Sequence, residues 1–202
     1  MEIYIVRHGE TIWNKEKRLQ GSTDIELGEK GRELAIKTGE ALMDTNIDMI
    51  FSSPLKRALE TARLIQNGRN IPLTTDDRLR ELNFGISEGK RYDELYEEQN
   101  CYFKYFFTEP QLYQPSENGE TLEHLIHRAG NFVKDVIEPL ASSCERVMIV
   151  AHGALNKALM CYIKQHSTEH FWSGGLQRNC NVMIIDYTDG KYTIIDETKT
   201  FY

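Results

Sequence analysis

The chain has 202 residues, 40% of them hydrophobic and 27% charged, enough for one well-buried core, and residues 1–202 are predicted to form a single domain. A formal charge of −7 argues against a general electrostatic grip on nucleic acid or on an anionic membrane, so an anionic substrate has to meet a local cluster of cations. Cys101, Cys144, Cys161 and Cys180 spell out neither a zinc knuckle nor a redox motif, and the opening "MEIYIVRHGE" lacks the basic and long apolar regions of a signal peptide, which together predict a reduced, cytoplasmic chain.

In chain order, "EIYIVR" at 2–7 reads as a strand apolar enough to be buried on both faces, as parallel strands are. A helix is expected at about 28–44, a strand at 47–51, and a second helix at about 54–67 with Ser53 as its cap and Pro54 in its first turn. "IPLT" at 71–74 is a weaker strand. From Phe84 to Tyr113 nine aromatic residues are mixed with charges and break the alternation, predicting a small helical cap insertion at about 84–118 over a pocket; plain packing of the insertion onto the core is the competing reading. Helical spacing returns at 120–140, where Leu122, Leu125, Ala129, Val133, Val136 and Leu140 share one stripe. A strand at 146–151, a helix at about 154–165 and strands at 181–187 and 191–196, joined by a hairpin at Asp189-Gly190, complete the chain. The pattern predicts an α/β three-layer sandwich, a mostly parallel central sheet with helices on both faces.

Ligands of open α/β sheets bind beyond the carboxyl ends of the strands. Two histidines fall at that kind of position, His8 after "YIVR" and His152 after "VMIVA", and each is followed by a glycine. Arg7 precedes His8, and Arg57 lies in the first turn of a helix, where free N–H groups favour an anion; a surface pair with Glu60 is its competing reading. Other signals are weaker. "GISEGKR" at 85–91 has three residues between its glycines where a P-loop has four, and Arg91 where Ser or Thr should follow Lys90. His124 and His127, near Glu120 and Glu123, fall opposite the apolar stripe and read as a solvated face, so no metal is expected. Trp13 and Trp172 read as packing residues.

"RHGET" with Asn14, "RLQG" at 18–21, "SSPLKRALETA" at 52–62, "LREL" with "FGISEGK" at 79–90, "NGET" at 118–121 and "VAHG" at 150–153 together resemble the ordered signatures of the histidine phosphatase superfamily, the phosphoglycerate-mutase-like proteins. The resemblance implies that His8 is a phosphorylated nucleophile. It implies that Arg7, Arg57 and His152 grip the phosphoryl oxygens with Asn14, Gly153 and Ala154 assisting, and that Glu81 is the proton donor. Glu81 has a plainer alternative as a surface partner of Arg78 or Arg80. Gln20, Gly21, Phe106 and Phe107 are expected along the substrate. The chain departs from the family around "DIELGEKG", where relatives often carry proline and a Ser or Thr cap. It also lacks, between residues 92 and 118, the arginine pair with which cofactor-dependent mutases hold a carboxylated substrate. The implied activity is therefore metal-independent, cofactor-free hydrolysis of a small phosphate ester. Mutase-type phosphotransfer and a non-catalytic phosphoryl-binding scaffold are the alternatives.

Overall fold

The computed structural model describes residues 1–98 and 102–202; Cys101, with part of the expected insertion, lies outside the described residues. Six strands, β1 (Glu2–Arg7), β2 (Met49–Ser52), β3 (Leu73–Thr75), β4 (Arg146–Ala151), β5 (Val182–Thr188) and β6 (Lys191–Lys199), form one sheet in the order β3-β2-β4-β1-β5-β6. β3, β2, β4 and β1 run parallel, and β5 and β6 close the edge as an antiparallel hairpin. The helices are α1 (Ile12–Lys15), α2 (Glu29–Ala41), α3 (Lys56–Gln66), α4 (Tyr92–Glu97), α5 (Leu122–Phe132) and α6 (Gly153–Lys164).

The period-2 alternation of the strands divides the core in two. Tyr4, Val6, Ile50, Met148 and Val150 pack beneath α2 and α3 with Ala35, Leu42, Ala62 and Ile65. Their neighbours Ile3, Ile5, Phe51, Val147 and Ile149 point to the opposite face, against Leu125, Ala129, Leu155 and Leu159 of α5 and α6. The result is the expected three-layer α/β sandwich. Each fully buried aliphatic side chain contributes about 1.5–3 kcal/mol, which makes the central parallel strands the firmest part of the molecule. The β5–β6 turn has φ of 52° at Asp189 and 74° at Gly190, the paired positive values that a tight hairpin following the strand twist requires.

Two local expectations need correction. The helix after β2 starts at Lys56, not at Pro54, with Leu55 at its N-cap; Ser53 lies in the preceding turn, where its Oγ accepts a hydrogen bond from the Leu55 N–H at 3.3 Å. The helix expected to run to 140 is α-helical only to Phe132. It widens into a π turn over Val133–Ile137 and tightens into a 3-10 turn over Glu138–Ser142, because Pro139 has no N–H to continue the ladder. The segment after β3 has little regular structure beyond α4 and single 3-10 turns. Its Phe84, Leu95, Phe103 and Phe106 join the same apolar cluster as α5 and α6.

Candidate active site

β1 and β4 are hydrogen-bonded neighbours with Arg7 opposite Ala151, so both chains leave the sheet at the same level. The His8 N–H donates to Ala151 O at 2.9 Å, and the His8 and His152 rings lie 5.2 Å apart between centroids. Gly9 is required here by close approach: a Cβ at this position would lie 2.5 Å from Gly31 O at the start of α2. The turn is then fixed by the Gly9 N–H donating to Thr61 Oγ1 at 3.0 Å and by Asn179 Nδ2 donating to His8 O at 2.8 Å.

Hydrogen bonding assigns the ring tautomers. His8 Nδ1 lies 2.7 Å from Gly9 O, a group that can only accept, so Nδ1 carries the hydrogen and Nε2 keeps its lone pair. His152 Nε2 lies 2.8 Å from Ser53 Oγ. The Ser53 hydroxyl already accepts from Leu55 N and has no other acceptor among the described residues, so it donates to Nε2, leaving the ring hydrogen of His152 on Nδ1. Both imidazoles are held neutral well below the ordinary histidine value. For each, burial is the main cause, followed by the Arg57 cation. Burial also pushes Arg57 down, to about 10, still a cation at neutral pH.

Arg57 is fully buried. It donates to Thr23 O at 2.8 Å and to Gly21 O at 2.6 Å, not to Glu60, which pairs with Arg32 instead. Arg7 donates to Gln177 O at 2.5 Å. Five buried side-chain polar atoms have no hydrogen-bond partner among the described residues, and three of them are the donors Arg7 Nε, Arg57 Nε and His152 Nδ1 around His8. An orphaned buried donor costs about 1–3 kcal/mol, more when charged, so three together form a prepaid socket for an anion with several acceptor oxygens.

Glu81 is not the surface partner of Arg78 or Arg80, which pair with Asp76, Asp135 and Asp77. Its carboxylate rests on the N-terminus of α6, accepting from Ala154 N at 3.1 Å and Leu155 N at 2.9 Å. The Ala154 N–H expected on the phosphoryl group is thus given to Glu81. Asn14 forms a reciprocal cap with Thr11, whose Oγ also lies 3.0 Å from Gln20 Oε1.

A narrow cleft joins these groups. Arg7, His8, Asn14, Gln20, Gly21, Arg57, Glu81, Gly153 and Ala154 line it, together with Phe106 and Phe107. All the expected site residues except His152 border the cleft, and the fully buried His152 ring lies beside it, 5.2 Å from the His8 ring between centroids. Larger surface grooves exist, but none contains the orphaned donors on both arginines. Tyr92, Trp172 and Leu176 were not anticipated on the wall; Trp172, read as packing, does pack, with its ring 5.1 Å from Phe106 and 5.0 Å from Phe107, and faces the cleft as well. Glu88, within the P-loop-like motif, holds the Gly21–Thr23 turn by accepting from Ser22 N and Thr23 N at 2.7 and 2.8 Å. The Thr23 hydroxyl donates to Glu88 as well, and no sequence signal marked Glu88, since the turn it holds lies 65 or more residues away along the chain. Among the described residues no three His, Cys, Asp or Glu side chains form a metal-ligand cluster, and no helix is long and apolar enough to cross a membrane.

The model of the histidine phosphatase superfamily (branch 1) matches residues 3–199. The "Probable phosphoglycerate mutase GpmB" of Salmonella arizonae is 32% identical over 194 residues, 95% of this chain and 87% of that protein. Among solved structures, Bacillus stearothermophilus YhfR superposes with a TM-score of 0.91 at 36% identity, covering 99% of this chain and 98% of the other. The alpha-ribazole phosphatase from Shigella flexneri superposes with a TM-score of 0.87 at 25% identity, covering 98% and 96%. With the two strand-end histidines, the paired arginines and a family match over nearly its whole length, the chain belongs to the histidine phosphatase superfamily.

Proposed function

We propose that the chain is a phosphomonoester hydrolase that works through a phosphohistidine on His8, with residues 1–202 acting as one domain and 84–118 as a cap over the leaving group. The observation that carries this reading is the set of three unpartnered buried donors, Arg7 Nε, Arg57 Nε and His152 Nδ1, around a neutral histidine. His8 Nε2 attacks phosphorus as the ester P–O bond breaks, and Glu81 gives its proton to the departing oxygen. Water then attacks phosphorus and passes a proton to Glu81, the P–N bond breaks, and neutral His8 and inorganic phosphate are released. The charge on the equatorial oxygens is met by fixed donors, the main source of catalysis in phosphoryl transfer.

The named relatives include both mutases and phosphatases. Phosphoglycerate carries a carboxylate that needs its own cation, yet the only cationic side chains bordering the cleft among the described residues are Arg7 and Arg57, both beside His8. The aromatic wall of the cleft is made of Phe84, Tyr92, Phe106, Phe107 and Trp172. That wall favours hydrolysis of a small phosphorylated metabolite with an apolar or ring-bearing leaving group. The reaction is tested by quenching with labelled substrate: acid-labile, base-stable phosphate should appear on the wild type, and His8→Ala should lose both label and turnover. Label persisting in His8→Ala would refute the assignment. Rates are expected to be unchanged after EDTA treatment; a loss that added divalent metal restores counts against the mechanism.

A further inference from the structure

The "NGET" motif has no part in the chemistry described above, yet its Glu120 belongs to a polar clamp that reaches the segment carrying Glu81. Arg128, on α5, donates through Nη1 to Arg78 O and Arg80 O, both at 2.7 Å, and through Nη2 to Glu81 O at 3.0 Å. Its Nε and Nη2 also bind the two oxygens of Glu120 at 2.7 and 2.9 Å. Glu120 continues the clamp past Glu81: its Oε2 accepts from Asn83 N at 3.3 Å, and its own N–H donates to Asn83 O at 2.7 Å. Main-chain groups on both sides of Glu81 are therefore tied to α5 or to Glu120 just before it, while the Glu81 carboxylate rests on α6.

The segment needs this arrangement. Between the 3-10 turns Asp77–Leu79 and Gly85–Ser87 the chain belongs to no helix or strand that would fix its carbonyls. A guanidinium fork with five N–H donors is suited to hold three carbonyls and a carboxylate at once, and a lysine is not. Arg128 does not border the cleft that holds His8; it lines an open groove on the far side of Glu81. We propose that Arg128, braced by Glu120, is the positioning residue for the proton donor Glu81. This inference rests on the reading of Glu81 as general acid and base given above.

A donor that is held loosely harms the reaction only as far as the leaving oxygen needs its proton. Turnover of glycerol phosphate and of 4-nitrophenyl phosphate should be compared in Arg128→Met, Arg128→Lys, Glu120→Gln and Glu81→Gln, with vanadate inhibition reporting the phosphoryl socket. Arg128→Met is expected to slow the alkyl ester about tenfold or more beyond its effect on the nitrophenyl ester, with vanadate affinity unchanged and guanidinium ion restoring part of the loss. In the double variant Glu81→Gln, Arg128→Met, the alkyl ester should be no slower than in Glu81→Gln alone. If Glu81→Gln shows the leaving-group dependence and Arg128→Met slows both esters equally, or the two losses add, the positioning inference falls while the catalytic reading stands. If Glu81→Gln itself shows no such dependence, both fall. Should Arg128→Met fail to fold, Arg128→Lys and Glu120→Gln decide by the same ratio of esters.

Discussion

The floor of the cleft and its roof are held by different kinds of force. On the floor, each functional side chain is fixed by directional bonds: Arg7 to Gln177 O, Arg57 to Gly21 O and Thr23 O, His8 to Gly9 O, His152 to Ser53, and Glu81 to two N–H groups of α6. In the roof, Phe106 meets Phe107, Tyr113 and Trp172 with ring centroids 4.8, 5.0 and 5.1 Å apart, and the directional bond from Trp172 Nε1 to Phe106 O secures one corner. Hydrogen bonds specify where an oxygen sits, whereas ring contacts specify area and shape and tolerate substitution. In the proposed hydrolysis the floor would hold the one invariant group, the phosphoryl, and the roof a variable leaving group.

The largest effect that tests this contrast comes from the floor. Arg57→Lys keeps a charge but loses the fork that both binds the Gly21–Thr23 turn and leaves Nε for the anion. It is expected to lower kcat/KM by about 10²–10³, equally for every ester, as removal of a fixed transition-state donor does. A loss that varied strongly with the leaving group would erase the distinction between floor and roof.

A smaller and differently shaped effect is expected from the roof. Phe106 is 2% exposed, and its truncation would cost about 3–5 kcal/mol of stability, so the half-buried Phe107 is the cleaner probe. Phe107→Ala should shift the ratio of kcat/KM between an aryl and a small alkyl phosphate by up to about tenfold, toward the small one, while leaving vanadate inhibition unchanged. An equal loss on both esters with a lowered Tm would mean that the roof only packs.

The same contrast explains what was legible in the sequence. Strands buried on both faces announce themselves as apolar runs, and their ends carry "RHG" and "AHG", so the sheet and the two histidines could be read directly. Glu81 was visible only through the ordered family signatures, and Arg57 beyond them only as a cation in the first turn of a helix, because their own surroundings also offer surface readings that the fold refutes. Ser53, Thr61, Gln177, Asn179 and Arg128 were missed for a common reason. Their partners, mostly main-chain groups, lie far along the chain, 171 residues away for Asn179 and His8 and 99 for Ser53 and His152, and periodicity reports only local neighbours. Trp172 lies after α6, well outside the aromatic segment it packs against, so composition alone could not place it over the cleft.

A last effect separates floor from roof without any substrate. In the folded protein His8 and His152 stay neutral well below the ordinary value of 6.5, because both are buried and face Arg57. The unfolded chain binds protons at these two sites once pH falls toward 6.5, while the folded chain does not until pH is lower still. In that window the unfolded state holds more protons, so stability rises with pH and is lost on acidification, by up to about 1.4 kcal/mol per pH unit for each histidine. Above the window the two sites leave stability level. Urea midpoints measured from about pH 7.5 down to about pH 5.5 should therefore decline for the wild type. The decline should be reduced in His8→Asn and again in His8→Asn, His152→Asn, and keep its wild-type slope in Phe107→Ala, whose ring carries no proton to exchange. If the double histidine variant declines as steeply as the wild type, the two rings are not the buried neutral bases that the floor requires. The acid sensitivity would then have to come from groups elsewhere in the molecule.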